Sequence, residues 1–478
     1  MAQFETDYLI VGAGAVGLAF ADTLIDEDPD CHITIVDKHA RPGGHWNDAY
    51  SFVKLHQPSA TYGVNSMELC PNRVDLHGHN KGMYPLASQS EILAYYERLM
   101  NDRLIPSGRV RYVPLAEYRE GHRIRSIFSG KEAPVTVRRK LVDATWFQTS
   151  VPSTHKPGFE IGEGARLAIP GDLPKLWREA GNLPDHYMVL GGGKTAMDTV
   201  VWLIEAGVDP DRIGWVRPRD SWMFNRRFLQ PAHAALDGLL DYQEALVLAA
   251  ASSSSGDEMF AKLGEQQIAL RIDPTVTPSM FHYAVISEGE IDMLRQVRQV
   301  YRHGRVSRIE RGRMLFGGHP EQVAADTLFI DCTATAVPFS QRKDTKPFFD
   351  GNRITLQLAM VPFVPYSAAL AAFLEANFDT DEEKNALAPS APLTDTTATY
   401  PYAVMANLVS TGLLGQNPKT NAFNAHSRLH PTGPEIARLI AQGSPKLARL
   451  QEVGKTIAEN MPGVIRLGMQ AQALHEAT

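Results

Sequence analysis

The chain has 478 residues, 44% hydrophobic and 21% charged, with a net charge of −7. That length supports two or three domains with substantial cores, and the mild acidic excess leaves no basic surface of the kind that holds nucleic acid. No uninterrupted apolar run of about 18 residues is present to span a membrane, and the N-terminus goes into a strand through Glu5 and Asp7 rather than a basic leader, so a cytoplasmic location is expected.

Tyr8 to Val11 is a short apolar run that ends in Gly12-Ala13-Gly14-Ala15-Val16-Gly17, and Leu18 to Ile25 then repeat apolar side chains at helical spacing. The pattern reads as strand, glycine turn, helix. Gly12 permits the turn, Gly14 lets backbone approach a pyrophosphate, and Gly17 lets the helix pack on the strand, while free amides at the helix N-terminus face the anion. A second strand, His32 to Val36, ends in Asp37, about 20 residues past the last glycine, where a carboxylate accepts hydrogen bonds from ribose hydroxyls. Lys38 is grouped with it as cofactor-binding. The unit is expected to bind an adenine dinucleotide.

Arg41-Pro42-Gly43-Gly44-His45-Trp46 comes next. It resembles the GGxW stretch of the flavin-containing (class B) monooxygenases, flavoproteins with two dinucleotide-binding domains, in which these glycines line the pyrophosphate and ribose of FAD. The resemblance implies FAD, contacted by Gly43, Gly44, His45 and Trp46. The family's counterpart of Tyr50 to Val64 lies against the isoalloxazine ring, which implies that Gln57 and Ser59 meet the flavin or its oxygen adduct. His56 stands where a Baeyer–Villiger member carries an acid; it is either a site group or a hydrogen-bonded loop histidine.

Ser88 to Glu91 start a helix whose apolar face is Ile92, Leu93, Tyr95, Tyr96 and Leu99. Val110 to Tyr118, Ile124 to Ser129 and Val135 to Val137 read as a strand meander. Leu141 to Thr145 resembles the family's ATG strand, with Trp146 in place of its glycine. Phe147 to Leu183 reads as a linker; the family's FxGxxxHxxxWP fingerprint is absent from it, and His155 is expected to be an exposed linker histidine.

Tyr187 to Leu190 opens a second unit, followed by Gly191-Gly192-Gly193-Lys194-Thr195-Ala196 and a helix from Met197 to Ile204. This is the GxGxxA form that the same family uses for NADPH. Its second strand, Ile213 to Val216, ends in Arg217-Pro218-Arg219 rather than in an acid. Arginine there pairs with a 2′-phosphate, so NADPH is expected over NADH, held by Gly191, Gly193, Lys194, Thr195, Ala196, Arg217 and Arg219. Lys194 either adds charge at the phosphates or points to water.

Ser221 to Phe228 sets aromatics beside arginines, which serve nucleotide stacking or core packing equally. Residues 231–288 read as a helical insertion broken at Ser252 to Gly256. Arg305 to Glu310 and Met314 to Phe316 suggest a hairpin. Ala325 to Thr335 resembles a second ATG strand, with Ala336 at the glycine position. A helix from Ser367 to Phe378, a surface loop from Asp379 to Thr399, a polar loop from Asn417 to Arg428 and a helix from Gly433 to Ala441 complete the reading. Cys31, Cys70 and Cys332 lack CxxC or zinc-ligand spacing, so free core thiols, no metal and no disulfide-reductase chemistry are expected.

The expected fold is α/β with two Rossmann-like dinucleotide-binding domains, the NADPH domain inserted into the FAD domain. Residues 1–150 begin the FAD domain, 151–330 form the NAD(P)H domain with its insertion, and 331–478 complete the FAD domain and add a C-terminal cap. The resemblance implies an NADPH-using monooxygenase that inserts one atom of O2 into a small organic substrate through a flavin C4a-(hydro)peroxide. A reductase or oxidase of the same layout, and a non-catalytic flavin scaffold, are the alternatives. Neither nucleic acid nor membrane is an expected partner, and a homodimer is left open.

Overall fold

The computed structural model describes residues 4–69, 73–179, 181–338 and 345–477. The chain opens with β1 (Phe4–Val11), α1 (Ala15–Glu27), β2 (Ile33–Val36), α2 (Gln89–Arg98), β3 (Val110–Val113), β4 (Ala116–Arg119), β5 (Arg123–Ser126) and β6 (Glu132–Asp143). β1 lies between β2 and β6 in parallel, and β3 continues the parallel order beyond β2. Strands flanked in this way are buried on both faces, and all four residues of β2, Thr34 included, are buried. Val110 to Tyr118 reads in the sequence as one strand of a meander; β3 instead joins the parallel sheet, and the antiparallel meander is formed by β4, β5 and β6.

The chain then leaves this sheet and forms β7 (Glu160–Ile161), β8 (Arg166–Ala168), β9 (Tyr187–Leu190), α3 (Lys194–Glu205), β10 (Ile213–Val216) and β11 (Ser221–Asn225). It continues through α4 (Ala232–Ser252), α5 (Gly256–Glu265), β12 (Ala269–Leu270), β13 (Met280–Ile286), α6 (Glu288–Leu294), β14 (Gln299–Tyr301), β15 (Arg308–Glu310), β16 (Arg313–Phe316), β17 (His319–Gln322) and β18 (Leu328–Asp331). A second parallel sheet runs β14-β10-β9-β18-β8. The segment read as a linker therefore contributes β8, an edge strand of that sheet. Two small sheets, β12-β11-β13 and β17-β16-β15-β7, flank it.

β19 (Phe349–Asp350) and β20 (Arg353–Thr355) bring the chain back to the first sheet, where β20 lies parallel to β6. The second sheet is thus nested inside the first. Helices α7 (Val364–Asn377), α8 (Asp381–Leu387), α9 (Tyr400–Gln416), α10 (Pro418–His426), α11 (Gly433–Ala441) and α12 (Leu447–Ala477) follow. The alanine-rich α7 packs on α1, its small side chains letting the two helices approach closely.

Several expectations for the insertion and the C-terminal segments change, among them the polar loop from Asn417 to Arg428, most of which is α10. Residues 231–288 are helical only as far as Glu265; β12 and β13 complete the segment. Its serine break is a tight, capped turn in which Ser255 accepts a hydrogen bond from the Glu258 amide. Helices α4 and α5 share an aromatic core (Trp222, Phe224, Phe260, Phe281, Tyr400) with α9 and α12, so much of the C-terminal cap covers the insertion rather than the first sheet. The acidic stretch after Asp379 is not a surface loop: Ala391, Leu393, Thr394 and Thr397 are buried, and the Thr397 amide and hydroxyl both donate to the Ser279 carbonyl. Cys31 and Cys332 are free and buried; Cys70 lies outside the described residues.

Candidate functional site

The two glycine turns have the same build. Gly12 (φ +109°) receives β2 through its amide and the Val36 carbonyl at 2.8 Å; Gly191 (φ +128°) receives β10 through the Val216 carbonyl at 2.9 Å. Both φ values lie where a side chain is strained. Each turn lies against the end of a strand that closes in Asp-x-Thr. Asp143 Oδ1 accepts from the Thr145 amide and hydroxyl at 2.9 and 2.7 Å, and Asp331 Oδ1 accepts from the same groups of Thr333 at 2.9 and 2.6 Å. This pairing corrects the second ATG reading by two residues: Cys332-Thr333 matches Ala144-Thr145, and Ala334, not Ala336, takes the place of Trp146.

In the first turn a Cβ on Gly17 would run into the Gly12 carbonyl, so the helix seats on the turn only with glycine there. The Gly43-Gly44 loop docks on Gly14, where a Cβ on Gly44 would come within 2.9 Å of the Gly14 Cα, and the Gly43 amide donates to the Ala13 carbonyl at 2.8 Å. Trp46 is buried and donates through Nε1 to the Tyr62 hydroxyl at 2.8 Å. Beside it, burial pushes His45 down to about 4. Asp37 accepts from the Ala13 amide (2.6 Å) and from the His39 amide and Nδ1 (both 2.7 Å), while His39 Nε2 pairs with Asp48 at 2.8 Å. The hydrogen bond to Asp37 raises the His39 pKa against the effect of burial, and Asp48 adds to it. Lys38 is exposed.

The second turn differs. Gly193 faces open space, with nothing within 4 Å of a Cβ placed there, and it starts α3 with no side-chain cap. Ala196 is buried at the base of that helix, and Thr195 follows Lys194 in its first turn. The Arg217 guanidinium lies over the Trp215 ring, 4.9 Å from its centroid, and is only 2% exposed. Its Nε is 3.0 Å from Asp220 Oδ1 without hydrogen-bonding geometry, and Nε and Nη1 are buried with no hydrogen-bond partner among the described residues. Burial lowers the Arg217 pKa, Asp220 opposing. Arg219 is exposed and reaches Met280 Sδ at 3.4 Å.

The Lys194 side chain is turned to acidic partners within the protein. Its ammonium pairs with Asp198 and, at 2.9 Å, with Glu290. Glu290 also binds Arg226 at 2.6 Å, and Arg226, wholly buried, donates to the carbonyls of His56 (3.0 Å) and Val285 (3.3 Å) and to Asn80 Oδ1 (3.2 Å). The Tyr50 hydroxyl donates to Asp198 at 2.9 Å. This buried network ties the loop of Tyr50 to His56, from the first unit, to α3 and α6 of the second. Burial alone would raise the Glu290 pKa; Lys194 and Arg226 outweigh it and hold the carboxyl well below its usual range. Burial alone would lower Lys194, and Asp198 and Glu290 reverse that.

The other expected flavin-side residues fall out differently. His56 accepts from the Val285 amide through Nδ1 at 3.3 Å, and burial, aided by Lys194 and Arg226, lowers it to about 3, so it is a neutral, hydrogen-bonded loop histidine. The Ser59 hydroxyl is committed, donating to the Pro85 carbonyl (3.0 Å) and accepting from the Ala87 amide (2.7 Å). Gln57 is partly exposed and its amide has no hydrogen-bond partner among the described residues. His155 is no exposed linker group: its Nε2 meets the Thr333 hydroxyl at 3.2 Å. Arg428, expected in a polar loop, donates to the carbonyls of Ala60, Tyr62 and Val64 at 2.6 to 2.7 Å and so clamps the loop after Ser59. Its chain separation of over 360 residues from those partners left no local signal.

Residues 10–74 match the family model for an NAD(P)-binding Rossmann-like domain. An uncharacterized protein of Mycobacterium tuberculosis, with its counterpart in Mycobacterium bovis, is 40% identical over 391 residues, covering 82% of this chain and 71% of the relative. An FAD-dependent monooxygenase of Pyrenophora dematioidea is 28% identical over 222 residues, 44% of this chain and 39% of that protein. Among solved structures, a polycyclic ketone monooxygenase from Thermothelomyces thermophila superposes with a TM-score of 0.52 at 12% identity, covering 89% of this chain and 85% of that one. The chain belongs to the family of these mycobacterial proteins, and its nested pair of Rossmann-like sheets is the fold of the flavin monooxygenases.

Proposed function

We propose that this protein is an FAD-dependent, NADPH-using monooxygenase that transfers one atom of O2 to a small organic substrate. The first sheet, with its returning strands, is the FAD unit, and the nested sheet is the NADPH unit. One observation carries the reading: two glycine turns of one design end their second strands in opposite charges, Asp37 in the first and a buried, hydrogen-bond-deficient Arg217 in the second.

The residues fit both groups. Helices α1 and α3 begin at Gly14 and Gly193 without side-chain caps, which leaves their first amides for pyrophosphates. The Asp37 carboxylate keeps lone pairs for ribose hydroxyls after accepting its three internal hydrogen bonds. The Arg217 guanidinium, ion-paired to Asp220 and without hydrogen bonds at Nε and Nη1, stands at the end of the second strand, where a 2′-phosphate would lie, and a guanidinium suits that group. The fungal FAD-dependent monooxygenase supports the reaction class.

FAD, which the Gly12 to Gly17 turn, Asp37 and the Gly43-Gly44 loop would hold, would supply the two-electron chemistry that links NADPH to dioxygen. The protein's own part is placement and exclusion of water. Arg217 anchors one end of the nucleotide, the Gly191 to Ala196 turn sets its depth, and the Lys194–Glu290–Arg226 network fixes the His56–Gln57 segment between the two units. Gln57 brings a free amide there; His56, uncharged, adds no proton source.

The test is incubation of the flavin-loaded protein with NADPH, 18O2 and a panel of cyclic ketones and thioethers, read by mass spectrometry. One 18O atom in a product supports oxygen transfer. NADPH consumed with hydrogen peroxide as the sole oxygen product throughout the panel replaces this reading with an oxidase.

A further inference from the structure

Outside the nucleotide-binding halves, the structure gathers two imidazoles and a carboxylate from two segments. His319 and Glu321 are two apart on β17, so their side chains leave the same face of the strand. His303 comes from the turn after β14, at the edge of the second sheet, and its ring packs edge-on against Phe316 with centroids 5.5 Å apart. The ligand atoms of all three residues lie within 4.8 Å of one another. Glu321 Oε1 is 3.2 Å from Nε2 of His303 and 3.2 Å from Nε2 of His319.

Those two separations, which are also hydrogen-bond distances, are close to the spacing of neighbouring ligands in a tetrahedral zinc centre, and the two imidazoles offer ligand atoms no more than 4.8 Å apart. Ligand bonds of about 2.0–2.1 Å at the tetrahedral angle put neighbouring donor atoms about 3.3 Å apart. Two imidazoles and one carboxylate are a zinc donor set, and solvent reaches the side chains, at 49%, 59% and 27% exposure, to supply a fourth ligand. Cysteine spacing carries no signal for this site, because its donors are two histidines and a glutamate that the fold brings together from the turn after β14 and from β17.

We propose that His303, His319 and Glu321 form a surface zinc-binding site, completed by water, that clips the β16–β17 hairpin to the edge of the second sheet. It is independent of the proposed nucleotide chemistry. The experiment uses full-length, tag-free protein freed of metal with a chelator, titrated with Zn2+ in competition with a chromophoric chelator and separately with Co2+. One equivalent should bind at micromolar or lower Kd, and Co2+ should give the strong visible bands of a tetrahedral site. His319→Ala and Glu321→Gln should each weaken Zn2+ by tenfold or more and abolish the Co2+ bands, with circular dichroism and flavin content unchanged. The proposal is overturned if wild-type protein binds no equivalent of Zn2+ above background, or if a His303→Ala/His319→Ala double variant binds it as tightly.

Discussion

The two glycine turns share a backbone and an uncapped helix start, and differ in the residues around them. Around the first, the Gly43-Gly44 loop presses on Gly14, and the Asp37 carboxylate is already partnered by Ala13 and His39. Around the second, Gly193 faces open space and Arg217 is a buried cation short of acceptors. On the proposed function, the first is a closed cradle for FAD and the second a more open seat for NADPH. The shared Asp-x-Thr strand ends show that the framework is common and the side chains at the end of the second strand set the use.

The largest expected effect lies where the two units are joined. Glu290→Ala leaves Lys194 and Arg226 buried with one acid fewer between them, and removing one partner of a buried pair costs about 3–5 kcal/mol; the loss should appear in chemical denaturation. Gly17→Ala forces α1 off its turn and should cost about 1–3 kcal/mol, as overpacking does, together with flavin retention. Arg217→Ala should raise KM for NADPH by about 10- to 100-fold, the value of a charged hydrogen-bonded contact, and leave KM for NADH nearly unchanged.

Proton linkage separates the units further. His39 has a raised pKa, so its contribution is full below the ordinary histidine value of about 6.5 and is lost as pH rises through the folded value. His56 is depressed to about 3, so its contribution is present above about 6.5 and is lost as pH falls toward 3. Thermal unfolding followed against pH should show both limbs, with His39→Asn flattening the alkaline one and His56→Asn the acid one. The smallest effect sharpens the contrast most: Gly193→Ala should leave stability within about 0.5 kcal/mol, as surface changes do, while raising KM for NADPH, because its methyl group meets nothing until the nucleotide arrives.

Features local in the chain were legible beforehand. Both glycine turns, the capping box of Ser88 and Glu91 and the opposite charges at Asp37 and Arg217 depend on residues a few positions apart. The nested order followed from two similar strands flanking the second turn, although the register of the second became clear only from the Thr333 cap on Asp331. What depends on distant partners was not legible. Lys194 looks like a phosphate ligand until Glu290, 96 residues on, is seen to hold it. Ser59 looks available until Pro85 and Ala87 take its hydroxyl. The segment after Asp379 is polar enough for a surface loop, yet from Ala391 to Thr397 it is largely buried, its threonines finding backbone and side-chain partners in the insertion.

The central claim is that the nested unit takes NADPH by its 2′-phosphate and passes electrons to a flavin held by the first. Anaerobic stopped-flow reduction of the flavin-loaded protein by NADPH and by NADH, in the wild type and in Arg217→Ala, tests it most directly. The account predicts that NADPH bleaches the wild-type flavin at much lower concentration than NADH does, and that the substitution removes most of this difference. Equal use of the two nucleotides by the wild type, or bleaching by neither, would contradict it.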